Sequence, residues 1–284
     1  MNPRLFDAPG PKGQRRIRVA NVIGVLLVVA FFVWIVVGLY GRGQLAPAKW
    51  LPIFTLNTWQ YFLLPGLVST LKAAALSVLC ASALGVIMGL GRSSHNRLIR
   101  AASTVFVELF RAIPVLIMML FAYALLASSE YIDASNAPFM AVVLGLTLYN
   151  SSVMAELVRS GIAGLPKGQR EAALAIGLTP SRSRIYIELP QAVAAMLPSF
   201  VSQLVIILKD TGLGYLVNYP ELLRQARLLG STEANLLPAL IVAAIIFIII
   251  NNALAQFAKW LAKRGSNRAA GRMAQMPAQV SVPV

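Results

Sequence analysis

The stretch VANVIGVLLVVAFFVWIVVGLYG, Val19 to Gly41, contains neither a charged residue nor a proline. A helix of that length, rising 1.5 Å per residue, crosses the roughly 30 Å hydrocarbon core of a bilayer. Five further charge-free windows follow: Ala73 to Gly91, Ala112 to Ser129, Ala134 to Ala155, Leu189 to Leu208 and Ala234 to Ala258, each of at least 18 residues. The composition agrees. Hydrophobic residues make up 58% of the 284, charged residues only 12%, and the mean hydropathy is +0.72, whereas a soluble domain carries about 25% charged residues. The chain therefore reads as an all-α, polytopic membrane protein with six transmembrane helices.

The charges orient it. Seventeen basic residues fall on alternate connections and the two ends: Arg4, Lys12, Arg15, Arg16 and Arg18; Arg92, Arg97 and Arg100; Lys167, Arg170, Arg182 and Arg184; Lys259, Lys263, Arg264, Arg268 and Arg272. The opposite connections hold only Arg42, Lys49, Arg224 and Arg227, with the acids Glu130, Asp133, Glu221 and Glu233. The positive-inside rule then places both termini in the cytoplasm and the protein in the cytoplasmic membrane as a multi-pass component. Basic residues scattered this way also exclude a nucleic-acid patch, despite a net charge of +15. The lone Cys80 rules out an internal disulfide, and nothing in the sequence assembles a metal site. His95, in a cytoplasmic connection, reads as a solvated residue. Ala46-Pro47-Ala48 faintly resembles a signal cleavage site, but the preceding apolar run exceeds the 7–15 residues of a signal core, so a retained anchor is expected.

The organisation predicted is a cytoplasmic tail over 1–18, an extra transmembrane helix over 19–41, an outer segment over 42–65, a five-helix permease-like domain over 66–262 and a basic, disordered tail over 263–284. Trp50, Trp59 and Tyr61 in the outer segment suit the headgroup level. Arg97 to Phe110 reads as an amphipathic helix along the inner surface, and Pro114 starts the next span.

The connection 161–190 is the most informative. A helix is expected from about Gln169 to Ile176: Glu171 suits the positive helix start, the alanines are good helix formers, and Gly177 fits a C-terminal cap. Its small alanines would let another protein's surface approach closely, and Arg170 and Glu171 would add polar contacts. Residues alone leave open whether this is a docking helix or an ordinary loop helix.

Glu171-Ala172-Ala173, three residues, Gly177, nine residues and Ile187-x-Leu189-Pro190 resemble the EAA signature of permease subunits in ATP-binding-cassette (ABC) importers. Phe110-Arg111-Ala112-Ile113-Pro114, Ala155 to Gly161, Pro166-x-Gly168-Gln169-x-Glu171 and Lys209-Asp210-Thr211 are similar to the polar amino-acid uptake branch, which serves histidine, arginine, glutamine and glutamate. The extra first helix, the basic Gly10-Pro11-Lys12-Gly13 start and Arg111-Ala112-Ile113-Pro114 look like glutamate-importer permeases within that branch. Thr211-Gly212-Leu213 departs from the branch's usual Thr-Ser-Leu.

The resemblance implies a type I importer permease fold and an alternating-access mechanism. An extracytoplasmic binding protein delivers the amino acid, two permease chains (this one twice, or this one and a homologue) form the pathway, and an ATPase dimer docks on Gly168, Gln169, Arg170, Glu171, Ala172, Ala173, Gly177, Leu189 and Pro190. No G-x-x-x-x-G-K-[ST] phosphate loop occurs in the sequence, so the chain is expected not to be an enzyme or to carry a cofactor; ATP and Mg belong to the partner ATPase.

Intramembrane polar residues suggest the pathway. Tyr149, Ser152, Glu156 and Arg159 recur at helical spacing in the fourth window; in the fifth, Ser199, Ser202 and Lys209 share a face, with Gln203, Asp210 and Thr211 beside or beyond it. These residues could line a path for a zwitterion or simply bond helix to helix, and Lys209 and Asp210 could form a structural pair. Arg111, Glu156 and Arg159 approach the same side of the membrane and form a candidate inner gate, with an Arg111–Glu156 ion pair expected. Asn150-Ser151-Ser152 matches a glycosylation sequon but lies inside a span. An ion-coupled secondary transporter is the rival class, because intramembrane charges suit ion coupling as well.

Overall fold

The computed structural model describes residues 10–274, with side chains described except at 258, 259 and 261–274. Among them the regular structure is entirely helical. Helix α1 spans Pro11–Gly41, α2 Leu56–Arg92, α3 Arg97–Ala112, α4 Val115–Ala127, α5 Ala137–Ala163, α6 Lys167–Ala175, α7 Pro180–Val217, α8 Leu222–Thr232 and α9 Leu236–Ala274. Five of these are long and apolar enough to cross a membrane, and α3 with α4 forms a bent pair that makes a sixth candidate.

Four boundaries differ from the sequence expectation. Helix α1 begins at Pro11, so Lys12, Arg15, Arg16 and Arg18 stand in its first turns rather than in a tail. Lys72 interrupts the apolar pattern and hides the start of α2, which runs on as 37 residues from Leu56, through the expected outer segment; Lys72 itself is exposed. Such a lysine keeps its stem on apolar surface and its head in a polar layer. The window Ala112 to Ser129 yields only the 13-residue α4, shorter than the span expected there. Pro114 forces Ile113 into extended backbone (φ −89°, ψ 127°), and α3 and α4 meet there at 98°. Finally, α9 stays helical to Ala274 although disorder is expected from 263, as its Ala- and Arg-containing end favours helix; residues 275–284 of that tail lie outside the described residues.

The packing has α5 at its centre. Helix α5 buries residues all round, among them Ala141, Leu146, Asn150, Met154 and Val158, and packs against α2, α4 and α7. Helix α2 meets it through a ladder of small residues four apart: Ala73, Ser77, Ala81, Gly85 and Gly89, all buried. In lipid, with no hydrophobic drive between helices, such close backbone approach supplies the association. A Cβ on Gly85 would sit 2.6 Å from Met154 Cβ, and one on Gly89 2.7 Å from Val158 Cβ and 2.8 Å from the Ala155 carbonyl oxygen. Neither neighbour is a flexible side-chain end. Gly89→Ala is therefore expected to destabilise the purified protein by roughly 1–3 kcal/mol, read as a lower thermal unfolding midpoint in detergent. By contrast, α1 buries none of its residues and shows Leu27 and Trp34 to its surroundings at 66% and 72% exposure. That is the expected state of a helix whose solvent is lipid.

Beyond α7 the chain turns through Asn218 (φ 61°) into α8. The Tyr219 hydroxyl donates to the Ser69 carbonyl at 2.7 Å, and the Leu222 amide donates to Thr70 Oγ1 at 3.0 Å, pinning the turn to α2. Glu221 caps α8, accepting from the amides of Leu223 at 2.7 Å and Arg224 at 2.6 Å. It is fully buried, and burial pushes its carboxyl up to about 7 against those amide bonds. A carboxyl whose folded pKa lies above its unfolded value holds its proton better when folded, so stability is greatest below about pH 4.5 and declines as pH rises toward 7. The thermal midpoint is expected to fall between pH 5 and 8, with Glu221→Gln flattening that dependence.

Candidate functional site

Pro166 turns the chain out of α5, and α6 follows with neither a side-chain cap nor an acid in its first turn. The helix ends as the sequence predicts. Gly177 has φ +85°, its amide donates to the Leu174 carbonyl at 3.0 Å, and the Leu178 amide donates to the Ala173 carbonyl at 3.1 Å, a pair of bonds that closes the helix C-terminus. Ala173 is buried inward, whereas Glu171, Ala172, Leu174, Ala175 and Ile176 are exposed, Ile176 at 78%. A nine-residue helix thus presents one acid among small and apolar side chains. Gln169 Oε1 accepts from Gln191 Nε2 at 3.1 Å, which ties α6 to α7, and Arg170 Nη2 donates to His95 Nε2 at 2.8 Å, which ties it to the α2–α3 connection. His95 is exposed, as expected, and this bond adds a link between α6 and that connection. Leu189 is half-buried and Pro190 exposed, just after a wide π-turn over Arg184–Glu188; lacking an N–H, Pro190 cannot close the regular ladder there.

Behind α6 lies a charge cluster in which Arg92, overlooked by the span-by-span reading, is the hub. From the end of α2 its Nη1 reaches Glu156 Oε2 at 2.9 Å and its Nη2 reaches Glu108 Oε1 at 3.0 Å. Arg159 forks onto Glu156, its Nε donating to both carboxylate oxygens at 3.1 Å and its Nη2 donating to Oε1. The expected Arg111–Glu156 pair does not form. Arg111 bonds instead to Glu108, one turn back on its own helix, at 3.3 Å. The planar guanidinium of Arg92, only 11% exposed, occupies the space between the two acids and satisfies both.

The other pathway candidates separate into two sets. Ser152 is buried with its hydroxyl on the Leu148 carbonyl, and Gln203 is buried with Nε2 donating to Asn150 Oδ1 at 2.5 Å. Asn150 also donates to the Leu146 carbonyl at 2.8 Å, so the sequon residue is a helix-packing group between α5 and α7. Thr211 is buried against the Leu208 carbonyl. Tyr149 and Ser199 are half-buried, and Ser202 is exposed with its hydroxyl on the Pro198 carbonyl. Lys209 and Asp210 form no ion pair with each other. They line a largely apolar cavity of about 610 Å³ with Gly212, Tyr215, Phe247 and Asn251. A Cβ on Gly212 would meet only Phe247 Cζ, at 3.9 Å, so a small side chain fits there.

A family described as binding-protein-dependent transport system inner membrane component matches residues 81–266. The chain belongs to that family. This transport-system membrane component is 50% identical over 220 residues to the glutamate transport system permease protein GluD of Corynebacterium glutamicum, covering 78% of this chain and 81% of the relative. It is 31% identical over 206 residues to the probable glutamine ABC transporter permease protein GlnP of Bacillus subtilis, covering 72% and 93%. The crystal structure of an amino acid ABC transporter with histidines superposes on it with a TM-score of 0.65 at 25% identity, over 72% of this chain and 95% of that one. It is thus a multi-pass ABC importer permease with the fold that its EAA-like segment implied.

Proposed function

We propose that this permease carries glutamate into the cytoplasm by alternating access, driven by ATP hydrolysis in a partner ATPase dimer that docks on α6. The single observation that carries the substrate is the 50% identity to a glutamate permease, spread over most of both chains. The exposed Glu171, Ala172 and Ile176 surface supports the docking role, because small residues admit a partner backbone and a lone acid selects its charge. ATP and Mg are bound by the partner, an extracytoplasmic binding protein supplies the amino acid, and a second permease chain, identical or homologous, completes the path. Both termini face the cytoplasm in this reading, which puts α6 and the arginine cluster inside and the Lys209–Asp210 cavity toward the outside. Residues 66–262 form the permease domain, with α1 an added anchor. Exposed Lys209 and half-buried Asp210 offer opposite charges to the carboxylate and ammonium of a passing amino acid. The test is co-purification of the ATPase with this chain, together with competition of labelled glutamate uptake by glutamine, histidine and arginine. Competition by glutamine equal to that by glutamate itself would reassign the substrate, and absence of any ATPase would reject the docking role.

A further inference from the structure

A second cavity, of about 320 Å³, lies between the ends of α2 and α5, the start of α6 and the π-turn of α7. Arg92, Arg159, Lys167, Arg170 and Arg184 line it, against the single acid Glu188. Arg92 and Arg159 are engaged with Glu156, and Arg170 spends one nitrogen on His95. Glu188 accepts from the Ser183 hydroxyl at 2.9 Å and stands in no ion pair among the described residues. Among the described residues Lys167 makes no ion pair, and Arg184, only 7% exposed with its Nε fully buried, makes neither an ion pair nor a hydrogen bond; the Glu188 charge compensates it only through space. An interior guanidinium left without an acceptor is costly, by far more than an exposed one. The uncapped N-terminus of α6, which begins at Lys167 with no acid in its first turn, opens on the same cavity and adds its positive end.

We infer that this cavity binds a small oxyanion, a carboxylate or phosphate group held by Arg184, Lys167 and the first turn of α6. A planar guanidinium offers two parallel donors to either group, and a lysine on a flexible stem closes from the open side. An anion seated there bridges α6 to α5 and α7, the elements flanking the docking helix. The binding itself stands whether or not α6 engages an ATPase.

The group can come from a cytoplasmic solute or from a lipid headgroup, and two arms separate these sources. In the first, the full-length chain in phosphatidylcholine nanodiscs is titrated with inorganic phosphate or glutamate at constant ionic strength, with chloride as control, and read by thermal shift. In the second, nanodiscs containing phosphatidylglycerol are examined by native mass spectrometry for retained anionic lipid. Saturable stabilisation in the first arm assigns a solute; retention of lipid confined to the second assigns a headgroup. In either arm Arg184→Gln and Lys167→Gln are expected to weaken binding about tenfold, as for loss of a charged hydrogen bond. Lys167 is exposed, so its variant keeps the fold even where Arg184→Gln does not. No binding above chloride in the first arm together with no retained lipid in the second, or binding undiminished in both variants, overturns the site.

Discussion

Glu171→Lys leaves the permease inserted and folded but cuts ATP-driven uptake by tenfold or more. Glu171 is exposed and forms no ion pair among the described residues, so its reversal costs the fold little. On a docking surface the same reversal sets like charges together, which costs roughly 2 kcal/mol or more, about thirtyfold in affinity. Gly177→Val reaches the same end by another route. Nothing lies within 4 Å of a Cβ at Gly177, so no clash arises, but φ +85° is a conformation that a β-branched residue adopts only at a cost of roughly 1–3 kcal/mol. The last turn of α6 then unwinds. Both variants are expected to lose ATPase co-purification, or to hydrolyse ATP without uptake, while the binding protein and amino acid still associate. Normal uptake coupled to normal hydrolysis in both, with insertion checked separately, contradicts the docking role of α6.

Glu156→Ala has the second large effect. Its carboxylate holds Arg92 at 2.9 Å and receives the fork of Arg159, so truncation leaves Arg159 without its acceptor and Arg92 with Glu108 alone. Loss of such charged hydrogen bonds is expected to cost roughly 1.5–3 kcal/mol, seen as a lower unfolding midpoint and reduced transport. The double variant with Arg92→Ala should cost about 1 kcal/mol or more less than the sum of the two single changes, because the Arg92–Glu156 contact is lost only once. The double variant with Arg111→Ala should be additive within about 0.5 kcal/mol, since Arg111 bonds to Glu108. Coupling found with Arg111 and not with Arg92 would restore the pairing that the sequence suggested.

Much of the fold is legible because lipid imposes a simple rule on the sequence: no charge for about twenty residues. That rule misplaces the start of α2, where Lys72 keeps its charge exposed, and it overstates the span after Arg111, where α4 is only 13 residues long and meets α3 at 98° across Pro114. Helix α6 is legible to within two residues at its start and one at its end, because Gly177 and the alanines signal local conformation. The charge cluster is not. Arg92 looks like one more basic loop residue until the tertiary structure sets the end of α2 between Glu108 and Glu156. The Gln203–Asn150 bond and the buried Arg184 Nε without an acceptor are likewise invisible to spacing, because each depends on which helix faces which.

The most direct test of the importer reading uses vesicles that contain this permease, its companion permease chain where there is one, and the ATPase, with the binding protein outside and ATP inside. The prediction is saturable accumulation of labelled glutamate that requires both ATP and the binding protein. Accumulation by this chain alone under an imposed ion gradient, or none by the complete assembly with ATP, would contradict it.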